Sequence, residues 1–338
     1  MLIIGIKSTE LDAEECDWLQ APGVSGVILF KRNFTSREQV SELIAQVREL
    51  RPDPFLVCVD QEGGPVQRFH QEFTRLPALA RIGECYARDP EMALALAEEH
   101  AWLMATEMRS IDIDLSFAPV LDLKRINRIV ADRALDADPM VVSALGLAYL
   151  RGMRLAGMAA TIKHFPGHGS VLEDTHVEDA VDRRSLDEMR RCDLIPFADA
   201  IEAGAEAVMM GHVIYSGIDA NPAGYSRIWI QDILRGEFGF RGVVFSDDIS
   251  MAAATSVGGI GARIRAHRRA GCDLVLVCQP GAVAEALIAQ RDAPGCDPAR
   301  IESLCGKVAS TWQQIVDNPQ RDRFISRVTA LDAHRSAT

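Results

Sequence analysis

The 338-residue chain is 48% hydrophobic and 25% charged with no long Ser, Gln or Pro run, which excludes a largely disordered protein and allows one large domain or two ordinary ones. Its formal net charge of −12 argues against nucleic acid or an anionic membrane surface as the main partner. No apolar run approaches a membrane span, and the opening MLIIGI, interrupted by Lys7, lacks the basic start and cleavage site of a signal peptide. The eight cysteines are scattered with no C-x-x-C pair, as expected of reduced thiols in a cytoplasmic protein.

Eight short apolar runs of β-type composition punctuate the chain: Leu2 to Ile6, Gly26 to Phe30, Phe55 to Asp60, Ile113 to Val120, Ala159 to His164, Ala207 to Val213, Gly242 to Asp247 and Asp273 to Cys278. Helical patterns lie between most of them. In Ser36 to Leu50 the residues Val40, Leu43, Ile44, Val47 and Leu50 share one face, and Ser36 with Gln39 makes a capping box. Asp89 and Pro90 open a helix running through Met108. Ser185 and Glu188 start another that ends near Gly204, with a kink or break expected at Pro196. Gly261 to Ala270 and Ala282 to Gln290 follow, and Pro298 to Val316 reads as a closing helix.

Apolar strands alternating with helices are the pattern of a parallel sheet covered on both faces. Eight such units favour a single-domain α/β fold, the (β/α)8 TIM barrel, over an open doubly wound sheet. The strand ends agree: Asp60, Asp122, Lys163, His164, His212 and Asp247 fall at or just past the C-terminal ends of their strands, the face where barrel active sites assemble. No G-x-G-x-x-G opens a helix after an early strand. The barrel is expected to span residues 1–317, closing helix included, with the polar residues 318–338 as a loosely attached tail.

Strand seven ends in GVVFSDDISM, delivering Ser246, Asp247 and Asp248 to the barrel mouth. Because strand side chains alternate, one of the two aspartates is expected to face the site; the bland alternative is a pair that caps a helix or binds a loop. After strand five, Asp174-Thr175-His176 sets a carboxylate and an imidazole two residues apart, so that Asp174 can fix the tautomer of His176 and favour its protonated form, a proton donor near neutral pH. Alone, such a triplet reads better as a surface Asp-His pair. Lys163 and His164 leave strand five side by side, and a Lys there needs either a polar ligand such as a substrate hydroxyl or a structural carboxylate. After strand three, VDQEGGPVQRF supplies Asp60, Gln61 and Arg68, and the Gly63-Gly64-Pro65 turn folds back over the mouth, where Asp60 could accept two hydrogen bonds from adjacent sugar hydroxyls. Arg133 is a candidate donor on the loop after strand four. His164, His168, His176, His212 and Asp247 could also serve a metal-dependent hydrolase, although Gly5-Ile6-Lys7 stands where such barrels carry an H-x-H on the first strand.

In this order and spacing, VDQEGGPVQRF, KHFPGHG, the Asp-x-His triplet and FSDDISM resemble the β-N-acetylhexosaminidases of glycoside hydrolase family 3, of the single-domain bacterial cytoplasmic type, from about Gly5 through the eighth strand. The resemblance implies a retaining exo-β-N-acetylglucosaminidase with Asp247 as nucleophile, His176 as acid/base and Asp174 as its partner. It assigns sugar binding to Asp60, Arg68, Arg133, Lys163 and His164. It further implies N-acetylglucosamine-containing muropeptides of cell-wall recycling as substrates, including disaccharides ending in 1,6-anhydro-N-acetylmuramic acid, a cytoplasmic monomer, and no cofactor or metal. Two positions depart from the family pattern: Pro65 stands where Arg is frequent, and Val130 to Leu135 replaces a motif that usually carries a Gly and a closing Phe.

Overall fold

The computed structural model describes residues 1–128, 130–172, 180–251, 257–291, 297–307 and 310–333. Each of the eight apolar runs yields one strand: β1 Leu2–Gly5, β2 Val24–Leu29, β3 Leu56–Val59, β4 Leu115–Ser116, β5 Thr161–Phe165, β6 Ala207–Met210, β7 Val243–Asp248 and β8 Leu274–Val277. They form one parallel sheet in the order β4-β3-β2-β1-β8-β7-β6-β5. The seam between β4 and β5 is closed past the end of β4. Thr161 N–H donates to Ala118 O (2.9 Å), Lys163 N–H to Pro119 O (3.2 Å) and Leu121 N–H to Lys163 O (2.7 Å), with a parallel bridge pairing Val120 and Lys163. The fold is the expected single-domain barrel.

Strand alternation separates two cores. Ile3, Ile28, Leu56, Cys58, Phe117, Met209, Phe245 and Leu276 belong to one buried cluster, inside the barrel, where Phe117 and Phe245 meet edge to face at 5.2 Å. Their outward neighbours, such as Leu2, Ile4, Val57 and Val244, join the helices in a second cluster. Continuing the inward parity past the strand ends gives Phe30, Asp60, Asp247 and Cys278, and Lys163 follows outward Ile162 on β5. The site is therefore placed by the same period of two that packs the core.

Helix α1 is Ala13–Gln20 and α2 is Arg37–Leu50, the latter burying Val40, Leu43, Ile44 and Val47 as its pattern predicts. Only half of the expected capping box forms: Ser36 accepts from Gln39 N–H, but Gln39 Oε1 takes the N–H of Thr35 instead of Ser36. Helix α3 (Leu79–Tyr86) precedes α4 (Pro90–Arg109), which opens on Asp89 and Pro90 as expected, and α5 (Pro139–Leu155) packs against α4. The helix expected from Ser185 to Gly204 is broken into α6 (Leu186–Arg190) and α7 (Leu194–Glu202). Pro196 has no N–H to give the carbonyl of Cys192, which Ile195 N–H takes at 3.2 Å. Helices α8 (Ile260–Ala270) and α9 (Val283–Gln290) match their patterns, whereas Pro298 to Val316 is not one helix but α10 (Pro298–Glu302) and α11 (Trp312–Val316). Thr311 caps α11 with a full capping box, a local start signal inside what the apolar spacing suggested was continuous.

The expected loose tail differs most. Pro319–Ala333 forms α12, which lies against α4. Its Phe324 and Val328, one turn apart, are buried, and Phe324 meets Trp102 edge to face at 5.4 Å. Buried carboxylates of α4 take up its arginines, with Arg321 Nη2 2.7 Å from Glu107 and Arg327 paired with Glu99. Two of its charged side chains thus serve ion pairs with buried partners. Phe324→Ala should therefore destabilise the whole barrel, by about 3 kcal/mol for a buried aromatic truncated against a rigid neighbour. An unchanged urea midpoint would show that α12 is an independent appendage. No helix among the described residues is long and apolar enough to cross a membrane.

Candidate active site

At the C-terminal end of the barrel lies a cavity of about 650 Å3 with Ile28, Met209 and Leu276, the topmost inward residues of their strands, among its lining. Six residues singled out from the sequence line it: Asp60, Arg68, Arg133, Lys163, His164 and Asp247. Asp174 and His176 lie outside the described residues.

One wall is an ionic cluster. Lys163, on β5 and 2% exposed, puts Nζ 3.0 Å from Asp60 Oδ1 and 2.6 Å from Glu62 Oε1. Glu62 is equally buried and receives both Nε and Nη2 of Arg133 at 2.8 Å, the two-pronged geometry that guanidinium and carboxylate favour. Arg68 Nη2 reaches the other oxygen of Asp60 at 3.1 Å. Burial by itself would raise both carboxyl groups. Lys163 and then Arg68 instead hold Asp60 far below the ordinary carboxylate range, while Arg133 and then Lys163 hold Glu62 at about 2. Both readings of Lys163 left open by the sequence meet here, since its structural carboxylates line the cavity too.

Local chain geometry makes this cluster possible. Gly63 (φ 99°) and Gly64 (φ 54°) turn the chain in the left-handed region, so that Gln61–Gly63 pairs back with Val66–Gln67. Gln61 pins the hairpin: its Oε1 accepts from Arg68 N–H (3.0 Å) and Phe69 N–H (3.1 Å), and its Nε2 donates to Phe69 O. Gln61 is thus a structural brace. Glu62 was missed in the sequence, although two cations near a buried strand end require more anion than Asp60 supplies.

His164 donates from Nδ1 to Asp122 Oδ2 at 2.7 Å, and Asp122 Oδ1 accepts the backbone N–H of His164 and of His168. Against the effect of burial, His164 pulls Asp122 down to about 2. The motif's second half is a platform for the loop that follows. Gly169 has no room for a side chain, because a Cβ would stand 1.9 Å from Leu123 O. Asn127 Nδ2 donates to Val171 O (2.8 Å), Tyr215 hydroxyl bonds Gly167 O, and on the far side Val181–Asp182 pairs with Ile214–Tyr215. Burial lowers His168 to about 4, so it is neutral near pH 7, and its Nε2 makes no hydrogen bond among the described residues.

Both aspartates of β7 line the cavity, where strict alternation would admit one. The register against β8 slips between Phe245 and Asp248, a bulge that turns the second carboxylate inward as well. Their engagement differs. Asp248 is tied to Ser250 N–H (3.0 Å), the Ser250 hydroxyl and Cys278 N–H (3.1 Å). Asp247 accepts only the N–H of Asp248 (2.8 Å) from the described residues. Burial pushes Asp247 up, but the imidazoles of His164 and His212, the Asp248 N–H and the Lys163 ammonium bring it below the ordinary value. Burial lowers His212, whose Nε2 donates to Asp248 O at 3.1 Å. Among the described residues, His, Cys, Asp and Glu side chains form no group of three or more suited to a metal ion.

The arrangement offers an ionised, accessible carboxylate facing an array of donors and acceptors suited to polyhydroxylated rings. Known proteins share the chain and the fold. The beta-hexosaminidase of Stenotrophomonas maltophilia (strain R551-3) is 58% identical over 316 residues, covering 94% of each chain. That of Xanthomonas axonopodis pv. citri (strain 306) is 53% identical over the full length of both. The crystal structure of NagZ from Neisseria gonorrhoeae in complex with N-trifluoroacetyl-D-glucosamine superposes with a TM-score of 0.90 at 37% identity, covering 98% of this chain and 97% of that one. Residues 3–310 match the glycosyl hydrolase family 3 N terminal domain, and with these relatives the match establishes that the chain belongs to glycosyl hydrolase family 3, among its β-hexosaminidases.

Proposed function

We propose that the protein is a retaining exo-β-N-acetylglucosaminidase that releases terminal N-acetylglucosamine from muropeptide fragments, including those ending in 1,6-anhydro-N-acetylmuramic acid, during cytoplasmic cell-wall recycling. Asp60, Arg68, Arg133, Lys163 and His164 hold the sugar hydroxyls. Asp247 attacks the anomeric carbon while the glycosidic C–O bond breaks, and His176, protonated and oriented by Asp174, gives its proton to the leaving oxygen. Water then attacks the anomeric carbon of the glycosyl ester, His176 takes a proton from that water, and the Asp247 carboxylate is freed.

The observation that carries this reading is the allocation of charge in the cavity. Asp60 and Glu62 are each bound by two cations, Asp248 by two N–H groups and a hydroxyl, and Asp132 lies 3.8 Å from Arg81 and 3.7 Å from Lys124, whereas Asp247 accepts a single N–H among the described residues. Asp247 is the carboxylate left available as a nucleophile. A histidine acid fits beside it electrostatically, because an imidazolium becomes neutral on giving up its proton, whereas a carboxylic acid would place a second anion next to Asp247.

Incubation with a 2-fluoro slow glycosyl donor followed by peptide mapping should place one glycosyl label on Asp247; a label on Asp248, or none, refutes the assignment. His176→Ala should retain the glycosylation step on donors with excellent leaving groups while losing hydrolysis of disaccharides, since only the latter need a proton on the departing oxygen. Equal losses on both would exclude a proton-donor role.

A further inference from the structure

Residues 173–179, with Asp174 and His176 among them, run between two described ends, and a set of charges that the proposed chemistry does not use joins those ends. On the outgoing side, Ser170 Oγ accepts from Arg125 Nη1 at 2.8 Å, and the same Nη1 lies 3.4 Å from Asp193 Oδ2. On the returning side, Asp182 receives Arg184 Nε at 3.0 Å and Nη2 at 2.6 Å, while Arg184 Nη1 reaches Asp193 Oδ2 at 2.6 Å. One carboxylate therefore ties both sides through two arginines.

Asp193 is fully buried and stands just before α7, where an aspartate ordinarily accepts an N–H of the first helical turn. Its side chain accepts none there. It is turned instead toward the arginines and the KHFPGHG segment. Gly167 leaves it the room: a Cβ at that position would stand 2.9 Å from Asp193 Cβ and 3.2 Å from its Oδ1, and the backbone there has φ 120°. The Gly167 carbonyl is held in turn by the Tyr215 hydroxyl, from the strand that pairs with Asp182. Two buried carboxylates and two arginines balance in charge, and because desolvation offsets much of their attraction, such a cluster adds little net stability. Its consequence is geometric. Gly167, Ser170 and Arg184 are referred to one buried side chain, and fixing both ends of a short segment restricts the space its middle can sample.

We infer that Asp193, acting through Arg125 and Arg184, is a positioning residue for the proton donor: it fixes the two ends of the segment 173–179 against each other and against the strand end that carries Lys163 and His164, and so sets where His176 can reach. This rests on His176 as the acid/base. A proton donor must come within hydrogen-bonding distance of the departing oxygen, and a misplacement of about 1 Å costs on the order of a hundredfold in rate.

The test is kcat/KM for methyl N-acetyl-β-glucosaminide, whose leaving group needs a proton, and for the dinitrophenyl glycoside, whose leaving group does not, measured on wild type, Asp193→Asn, Arg125→Ala and His176→Ala. The ratio of methyl to dinitrophenyl glycoside should fall about thirtyfold in Asp193→Asn and about threefold in Arg125→Ala. A merely structural role would lower both substrates together, so an unchanged ratio in both variants overturns the inference. If Asp193→Asn does not fold, Arg125→Ala decides alone, since Arg125 is half-buried at the surface. Combining Asp193→Asn with His176→Ala should lower the ratio no further than His176→Ala does. A further fall would mean that Asp193 acts by a route other than His176. The parent reading fails separately, when His176→Ala by itself keeps the wild-type ratio.

Discussion

Asp247→Asn should lower kcat/KM for aryl N-acetyl-β-glucosaminides by about 10^4-fold, because an amide of the same shape cannot form the glycosyl ester. Folding should be preserved. Among the described residues Asp247 makes one hydrogen bond, as an acceptor, which the Asn carbonyl can replace. The stronger experiment is Asp247→Ala with azide. The anion enters the space left by the carboxylate, on the face opposite the leaving group, so a β-glycoside should give the α-glycosyl azide. In His176→Ala the glycosyl ester forms first, and azide attacking from the other face should give the β-azide. Two variants giving opposite anomers would assign both roles by stereochemistry; the β-azide from Asp247→Ala would remove Asp247 as nucleophile. Asp248→Asn should be mild by comparison, since Asp248 acts through Ser250 and Cys278 and its loss costs local order.

The second large effect is expected at Glu62, which no motif reading marked. Glu62→Gln leaves Arg133 without its two-pronged partner and Lys163 with Asp60 alone. Removing one member of a buried ionic cluster costs about 3 kcal/mol, because the remaining charges stay desolvated. Activity should fall mainly through KM, since Arg133 and Lys163 lose the group that aims them into the cavity. Glu62→Asp, which keeps the charge, should lie between. Linkage gives an independent signature. The Glu62 carboxyl is depressed from 4.5 to about 2, so its contribution to stability is complete above pH 4.5 and is lost as pH falls toward 2. Urea midpoints measured across that window should fall less steeply in Glu62→Gln than in wild type. Parallel curves would mean that Glu62 does not carry the cluster.

These two residues mark what was and was not legible in one dimension. Asp247 was legible as one of two aspartates at the end of an apolar strand, and the resemblance to a family, not the spacing, separated it from Asp248; the period that buries Phe245 also brings Asp247 to the mouth. A place at the C-terminal end of a strand marked Asp60 and Lys163, and the eight apolar runs with helices between them pointed to the barrel. Local signals also placed the Gly63-Gly64 turn and the caps of α2 and α4. They failed where two local signals competed. Thr311 capped a new helix inside an apolar pattern, and Gln39 chose Thr35 over Ser36.

What only the tertiary structure decided are the pairings across the barrel. Lys163 meets Asp60 across 103 positions, Arg133 meets Glu62 across 71, and His164 meets Asp122 across 42. Nothing in the spacing of these residues specifies a partner; closing the sheet from β4 to β5 does, by bringing three strand ends and their loops to one wall. The docking of α12 has the same origin. Read alone, its arginines are a polar tail, and only the buried Glu99 and Glu107 of α4 make them anchors. The sequence determined which side chains face inward along the regular strands, because that follows from backbone geometry repeated every two residues, whereas the register slip between β7 and β8 that brings Asp248 in as well came only with the sheet. The fold decided which charges neutralise one another and which cavity carboxylate keeps few partners among the described residues, because electrostatic pairing depends on distances that exist only after the barrel has closed.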